Sequence, residues 1–432
     1  MKTTLTPADV ERLAVPLRAA NAAFAASYPG ERADRQPVHT VYGGAHLFRA
    51  DTARKLGQLA LRALEENAPD AATLAQAFGF PPGLAEKVHP RIVEKLGREP
   101  VEDLRIDFED GYGSRPDAEE DGHAVSCARE AARGHEGGTL PPFWGLRIKP
   151  MTEELRARSV RTLDLFLTTM LEATRGVVPP GFVITLPKLQ IPAHGAALSD
   201  VLDAIEPKLG VPPGSLRFEI MIEQTMAVLD REGRVPIPAL VAACRGRCVA
   251  AHLGTYDYTA SAGITAAHQH MTHPACDFAK ACMQASLGGT GIWLSDGATN
   301  VMPVGDFATV HAAWRLEAAH VRHSLVGGFY QGWDLHPAQL VARYAAVYAF
   351  YLESLPAATA RLSSFVAKAA QATLVGDVFD DAATGQGLLN FFLRGLACGA
   401  IREDEALASG LSLDELRSRS FVKILAGRRG AS

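Results

Sequence analysis

Along most of the chain, short apolar runs alternate with longer segments in which apolar residues recur every three or four positions. The first pattern reads as buried strands and the second as amphipathic helices. Thr6-Pro7-Ala8-Asp9 resembles a capping box with proline at the first helical position, and the helix it opens ends before Pro29-Gly30. The first strand is predicted at Val38 to Tyr42, stopped by Gly43-Gly44. Helices over Asp51 to Glu66, Ala71 to Phe78 and Pro82 to Leu96 precede the second strand, Leu104 to Glu109. Further strands are predicted at Phe143 to Ile148, Val183 to Pro187, Arg217 to Ile222, Cys248 to Leu253, Thr290 to Leu294 and Phe329 to Leu335. Between them lie helices over Thr152 to Arg175, His194 to Glu206, Pro236 to Arg245, Pro274 to Leu287 and Asp306 to Val326. Strict alternation argues for a parallel sheet, and eight such units argue for a closed TIM (β/α)8 barrel. An open doubly wound sheet is the alternative, but no G-x-G-x-x-G follows the first strand. From about Ala357 only helical segments are predicted, including Gly385 to Cys398 and Leu413 to Leu425. The expected division is an N-terminal helical extension over 1–37, the barrel over 38–355 and a C-terminal helical cap over 356–432.

Within LRIDFEDGYGSRP, Leu104 to Pro116, strand parity puts Leu104, Ile106 and Phe108 on one face and Arg105, Asp107 and Glu109 on the other. An abrupt exit through Asp110, Gly111, Tyr112 and Gly113 follows. In a barrel this gives an apolar face towards the helix layer and inner carboxylates near the mouth, where barrel chemistry sits.

Composition narrows the picture without changing it. With 432 residues, 47% of them hydrophobic, the chain can bury a large core. A net charge of −5 offers no basic surplus for nucleic acid. The N-terminus MKTTLTPADVERL lacks an apolar signal core, and no apolar run reaches the roughly 18 residues of a membrane span. The chain reads as soluble and cytoplasmic. Its six cysteines form no disulfide framework, and Cys244 and Cys248 lack a second ligand pair at zinc-finger spacing.

Charged residues recur at successive strand ends: Asp107 and Glu109, Arg147, Lys188, Glu219 and Glu223, then Asp257. Neighbouring fifth and sixth strands would bring Glu223 and Asp257 together. Two carboxylates with few other ligands suit Mg2+, which keeps several waters and takes its remaining ligands from substrate. Lys188, among charged neighbours that keep its amine protonated, is expected to hold the carboxylate network rather than form a Schiff base. His268, His270 and His273 form H-x-H-x-x-H, a possible zinc set without an evident fourth ligand, or a wall of the substrate pocket. His46 sits on the same face after the first strand, and His336 is expected to tie the eighth loop to the rim.

In order, DFEDG, LRIKP, LPK, Ile222 to Thr225, LGTYDY and GGFYQGWDLHPAQL resemble the motif series of the citrate lyase β-subunit-like group. That group belongs to the HpcH/HpaI aldolase and citrate lyase superfamily and is related to malyl-CoA lyases. The resemblance runs from about Val38 to Leu352, and its most specific piece passes through His336, Pro337 and Gln339. It implies a TIM-type barrel binding Mg2+ through Glu223 and Asp257, with Arg147 gripping a carboxylate or enolate oxygen. It also implies that Asp107, Glu109 and Asp110 position metal-bound water or substrate. The implied activity is cleavage or formation of a carbon–carbon bond next to a carbonyl, on a small 2-oxo or hydroxy carboxylate or its acyl-CoA thioester. Members usually assemble as homo-oligomers. In malyl-CoA lyases a C-terminal carboxylate serves as base, and Asp377, Asp380 and Asp381 do not align with it convincingly. The alternatives are phosphoryl transfer on phosphoenolpyruvate or pyruvate, for which no phosphate-cradling glycine loop is present, and a non-catalytic binding protein that retains the pocket.

Overall fold

The structure, a computed structural model, describes residues 3–367, 373–375, 378–380, 382–420 and 423–424. The chain starts with α1 (Pro7–Ser27), whose capping box at Thr6 and Asp9 forms as the sequence predicts. The first unit comprises β1 (His39–Gly44) and the helices α2 (Thr52–Asn67), α3 (Ala71–Phe78) and α4 (Pro82–Arg98). Then come β2 (Asp103–Asp107), α5 (Asp117–Glu136), β3 (Phe143–Arg147), α6 (Arg156–Ala173), β4 (Phe182–Leu186) and α7 (Pro192–Lys208). The fifth and sixth units are β5 (Phe218–Ile222), α8 (Thr225–Val228), α9 (Ile237–Ala243), β6 (Cys248–Leu253), α10 (Thr255–Ser261) and α11 (Pro274–Leu287). β7 (Trp293–Ala298), α12 (Phe307–Val326), β8 (Gln331–Asp334) and α13 (Gln339–Ala367) complete the ring. The remainder holds β9 (Thr373–Val375), β10 (Val378–Asp380), α14 (Ala382–Cys398), α15 (Glu403–Leu407) and α16 (Leu413–Arg417).

Strands β1 to β8 pair in sequence order, all parallel, and β8 closes on β1. The chain is therefore a TIM barrel with helical parts at both ends. Two expectations are corrected. The seventh strand begins at Trp293, not Thr290, because left-handed glycines at 289 and 291 hold the preceding turn; it then continues through Ser295 and Asp296, buried polar residues that look like a loop in sequence. The C-terminal part is not purely helical, since β9 and β10 form an antiparallel pair. Of the segment predicted to run to Leu425, the helix spans Leu413–Arg417, and residue 425 lies outside the described residues.

The parity read from the second strand positions the interior. Leu104, Ile106 and Phe108 join the apolar core with the helices. Arg105 turns into the barrel, where its Nε and Nη2 donate to Glu219 Oε1 and Oε2, each at 2.9 Å, and its Nη1 donates to Asp103. Glu219 also pairs with His252 Nε2 at 3.0 Å, and Trp333 Nε1 donates to His252 Nδ1 at 3.1 Å. Thr40 Oγ1 donates to Asp103 at 3.0 Å and accepts from Gln331 at 2.9 Å. Burying these charges is costly, and the layer is tolerated because its members satisfy one another. Glu219 thus belongs to this lower plug rather than to the mouth.

Candidate active site at the barrel mouth

The C-terminal ends of β2 and β3 lie side by side, with Asp107 opposite Arg147. Arg147 Nε and Nη2 donate to Asp107 Oδ1 and Oδ2 at 2.7 and 2.6 Å, a two-bond fork. Asp107 also accepts the backbone N–H of Glu109 at 2.9 Å and of Gly111 at 2.7 Å. A Cβ at Gly111 would lie 2.6 Å from Asp107 Oδ2, so only glycine lets the loop wrap this carboxylate. Arg147 Nη1 faces Glu109 Oε2 at 3.1 Å and Asp110 Oδ2 at 3.5 Å.

Lys188 follows β4 and has a φ of 50°, a strained left-handed conformation for a residue with a Cβ. Both its ends meet the acidic group. Its backbone N–H donates to Glu223 Oε1 at 2.5 Å. Its ammonium bonds Glu109 and lies 3.4 Å from Asp110 and 3.5 Å from Asp257. Burial disfavours the charge on Lys188, yet Glu109, Glu223 and Asp110 outweigh it and raise the amine above its ordinary pKa. Burial and then Asp110 push Glu109 upward against Arg147 and Lys188. For Asp110, the same two cations overcome burial and hold the carboxyl low.

Glu223, just past β5, is 2% exposed. Burial first, then the charges of Asp257 and Glu109, raise its pKa to about 8. Gly254 makes room for it, since a Cβ there would stand 2.2 Å from Glu223 Oε2. Asp257 lies in the first turn of α10. Among the described residues, no three His, Cys, Asp or Glu side chains form a metal shell by themselves. Glu223 and Asp257 nevertheless fit, by donor chemistry, a cation that draws its other ligands from water and substrate: both offer hard carboxylate oxygens at the mouth, and Asp257 adds like charge to the buried Glu223.

The structure therefore brings all seven predicted residues, Asp107, Glu109, Asp110, Arg147, Lys188, Glu223 and Asp257, into one connected group. Asp377 and Asp381 lie outside the described residues. His273 Nδ1 accepts from Ala275 and caps α11, while the His270 ring lies 5.8 Å from that of His273 and 6.4 Å from that of His320. His336 Nδ1 accepts the N–H of Ala338 at 3.2 Å. His46 packs against Tyr112 at 5.9 Å between ring centres.

Sequence reasoning passes over Tyr42 and Thr255. Tyr42 Oη, His46 Nδ1, His194 Nδ1 and Thr255 Oγ1 are buried polar atoms without a protein hydrogen-bond partner. Tyr42 lies in β1 and His46 just after it, Thr255 opens α10 directly after β6, and His194 lies in the first turn of α7, the helix that follows β4. A lone hydroxyl or imidazole in an apolar context carries no sequence signal of this kind.

Comparisons place the fold. A citrate lyase from Burkholderia xenovorans LB400 superposes with a TM-score of 0.60 at 19% identity, covering 88% of this chain and 100% of that one. Malate synthase from Haloferax volcanii follows: its lead(II) complex has a TM-score of 0.48 at 15% identity, covering 91% of this chain and 98% of that one. Its magnesium/glyoxylate complex has a TM-score of 0.45 at 14% identity, covering 90% and 97%. No curated protein sequence matches the chain. Residues 17–424 match a family described as Domain of unknown function (DUF6986). Among the described residues no helix is long and apolar enough to cross a membrane.

Proposed function

The chain belongs to the DUF6986 family, and on that premise we propose that it is a Mg2+-dependent carbon–carbon lyase or aldolase. Its substrate is a small 2-oxo or hydroxy carboxylate, or the coenzyme A thioester of one, and it works as a homo-oligomer. The observation that carries this reading is Glu223: a buried carboxyl at the open end of the barrel, with Asp257 and Glu109 beside it and a pKa raised to about 8. The motif series in the sequence and the barrel shared with a citrate lyase support the same reading.

Breaking a carbon–carbon bond beside a carbonyl leaves its electron pair as an enolate. Mg2+ held by Glu223 and Asp257 would supply a Lewis acid and an orienting template for the substrate's oxygens. Arg147, fixed by Asp107, keeps one Nη2 N–H outside the fork, directed to a substrate carboxylate or enolate oxygen. Lys188 remains an ammonium at neutral pH; it offsets the charge of Glu109 and Asp110 and is a hydrogen-bond donor, not a nucleophile. Glu109 and Asp110 hold this donor in place.

Calorimetric titration with MgCl2 tests the proposal. The wild-type protein is expected to bind Mg2+ saturably, and Glu223→Gln and Asp257→Asn to lose binding at least about tenfold, the equivalent of ~1.4 kcal/mol. Equal affinity in both variants would sink it. Turnover is then followed on a panel of 2-oxo acids, hydroxy acids and their thioesters.

A further inference from the structure

Tyr42 faces the barrel interior, two strand positions beyond Thr40 with its inward contact to Asp103, and level with Arg105 on the neighbouring strand. Its ring is wedged. Trp333 lies 4.5 Å away between ring centres, and the Arg147 guanidinium carbon stands 4.7 Å from the Tyr42 ring centre. Met221, Ala298 and Trp333, with Tyr256 beside them, complete a small apolar patch under the charged group. The patch is separate from the main core and forms the floor of the mouth.

The hydroxyl of Tyr42 has no such support. It is buried and has no protein partner, whereas the hydroxyls of Tyr256 and Thr40 are satisfied. Tyr256 Oη donates to the Ala298 carbonyl at 2.9 Å and accepts the Asn300 N–H at 2.8 Å, and Thr40 is bonded on both sides. A buried donor left unpaired costs stability, so a ring clamped in this orientation exposes the cost instead of relieving it. Burial, with Glu219 adding to it, raises the phenol well above its ordinary pKa, so it stays a donor at neutral pH.

We propose that Tyr42 is a further catalytic residue, whose hydroxyl donates a hydrogen bond to a substrate oxygen beside the bond that breaks. Its ring and that of Trp333 form the wall on which the substrate's carbon chain rests. Tyr42 donates without giving up its proton, so no proton is transferred in this contact. The assignment rests on the lyase reading above and adds a contact that selects for substrates with an oxygen acceptor next to a short apolar segment.

Tyr42→Phe keeps the ring, the Trp333 contact and the Arg147 contact and removes only the hydroxyl. The first measurement is the thermal unfolding midpoint without ligand, expected unchanged or up to about 2 °C higher. A fall of about 2 °C or more would show that the hydroxyl is satisfied inside the protein and would overturn the assignment. The second is calorimetric titration with oxalate in the presence of MgCl2, expected about tenfold weaker for Tyr42→Phe than for wild type. Equal oxalate affinity would also overturn it. If oxalate fails to bind the wild-type protein, the lyase reading falls, and the unfolding midpoint alone decides whether the Tyr42 hydroxyl is held open for a ligand.

Discussion

Asp107 spends its acceptors on the protein itself, two on Arg147 and two on the backbone N–H groups of Glu109 and Gly111. Asp257 spends almost nothing; its nearest cation is Lys188 at 3.5 Å, and its side chain is 34% exposed. The structure makes Asp107 a scaffold and leaves Asp257 free to serve as the ligand proposed above, and their variants should separate in the same way. Asp107→Ala leaves Arg147 buried without its fork and should cost about 3 kcal/mol or more in denaturant unfolding. Asp257→Asn should cost less than about 1 kcal/mol while removing Mg2+ binding. Similar losses of stability in the two would contradict this division of labour. The carboxylates are legible in the sequence because a charge at the end of an apolar strand must face a mouth, a partner or water. Tyr42 is not legible, because an inward tyrosine and a packed one look alike until the partners of its hydroxyl are known. Gly254 is likewise silent: its role is the space it leaves for Glu223.

At the scale of elements, strand and helix periods identify the barrel, and they fail where a polar residue belongs inside. β7 is the clearest case. Ser295 and Asp296 read as the exit from a strand, yet Asp296 is fully buried, accepting from Lys280 of α11 at 2.9 Å and Ser324 of α12 at 2.7 Å. One strand residue thereby ties two helices to the sheet. The sequence shows no pairing between positions so far apart, so only the fold reveals Lys280 as the partner. Removing one partner of a buried pair is far worse than never having built it. Lys280→Met should lower the unfolding free energy by about 3 kcal/mol in urea titration, and Lys280→Met with Asp296→Asn should recover part of that loss. A single variant within about 1 kcal/mol of wild type would show that Ser324 alone satisfies Asp296.

For the whole molecule, two carboxyls shifted in opposite directions show how the pH response is built. Glu99 ends α4 and holds Arg35 of the N-terminal connection through two bonds at 3.0 and 2.9 Å; despite burial, Arg35 and Lys95 lower its pKa from 4.5 to about 2. A lowered pKa means that the folded state releases a proton the unfolded state keeps, so this contribution is present above pH 4.5 and fades as pH falls towards about 2. Glu223 has the reverse sign. Its pKa rises from 4.5 to about 8, so between those values the folded state binds the extra proton, and stability falls as pH increases through that window. Glu109 and Glu317, also raised by burial, act with the same sign, so the metal-free protein should lose stability from pH 5 towards pH 8 by an amount that Glu223→Gln reduces but does not abolish. Added Mg2+ competes with the same proton, so the upward shift it gives the unfolding midpoint should grow with pH over this range and be absent in Glu223→Gln. Unfolding midpoints for both proteins, with and without MgCl2 at each pH, read the coupling directly. A Mg2+ shift that is independent of pH, or one that survives in Glu223→Gln, would place the cation elsewhere than on Glu223.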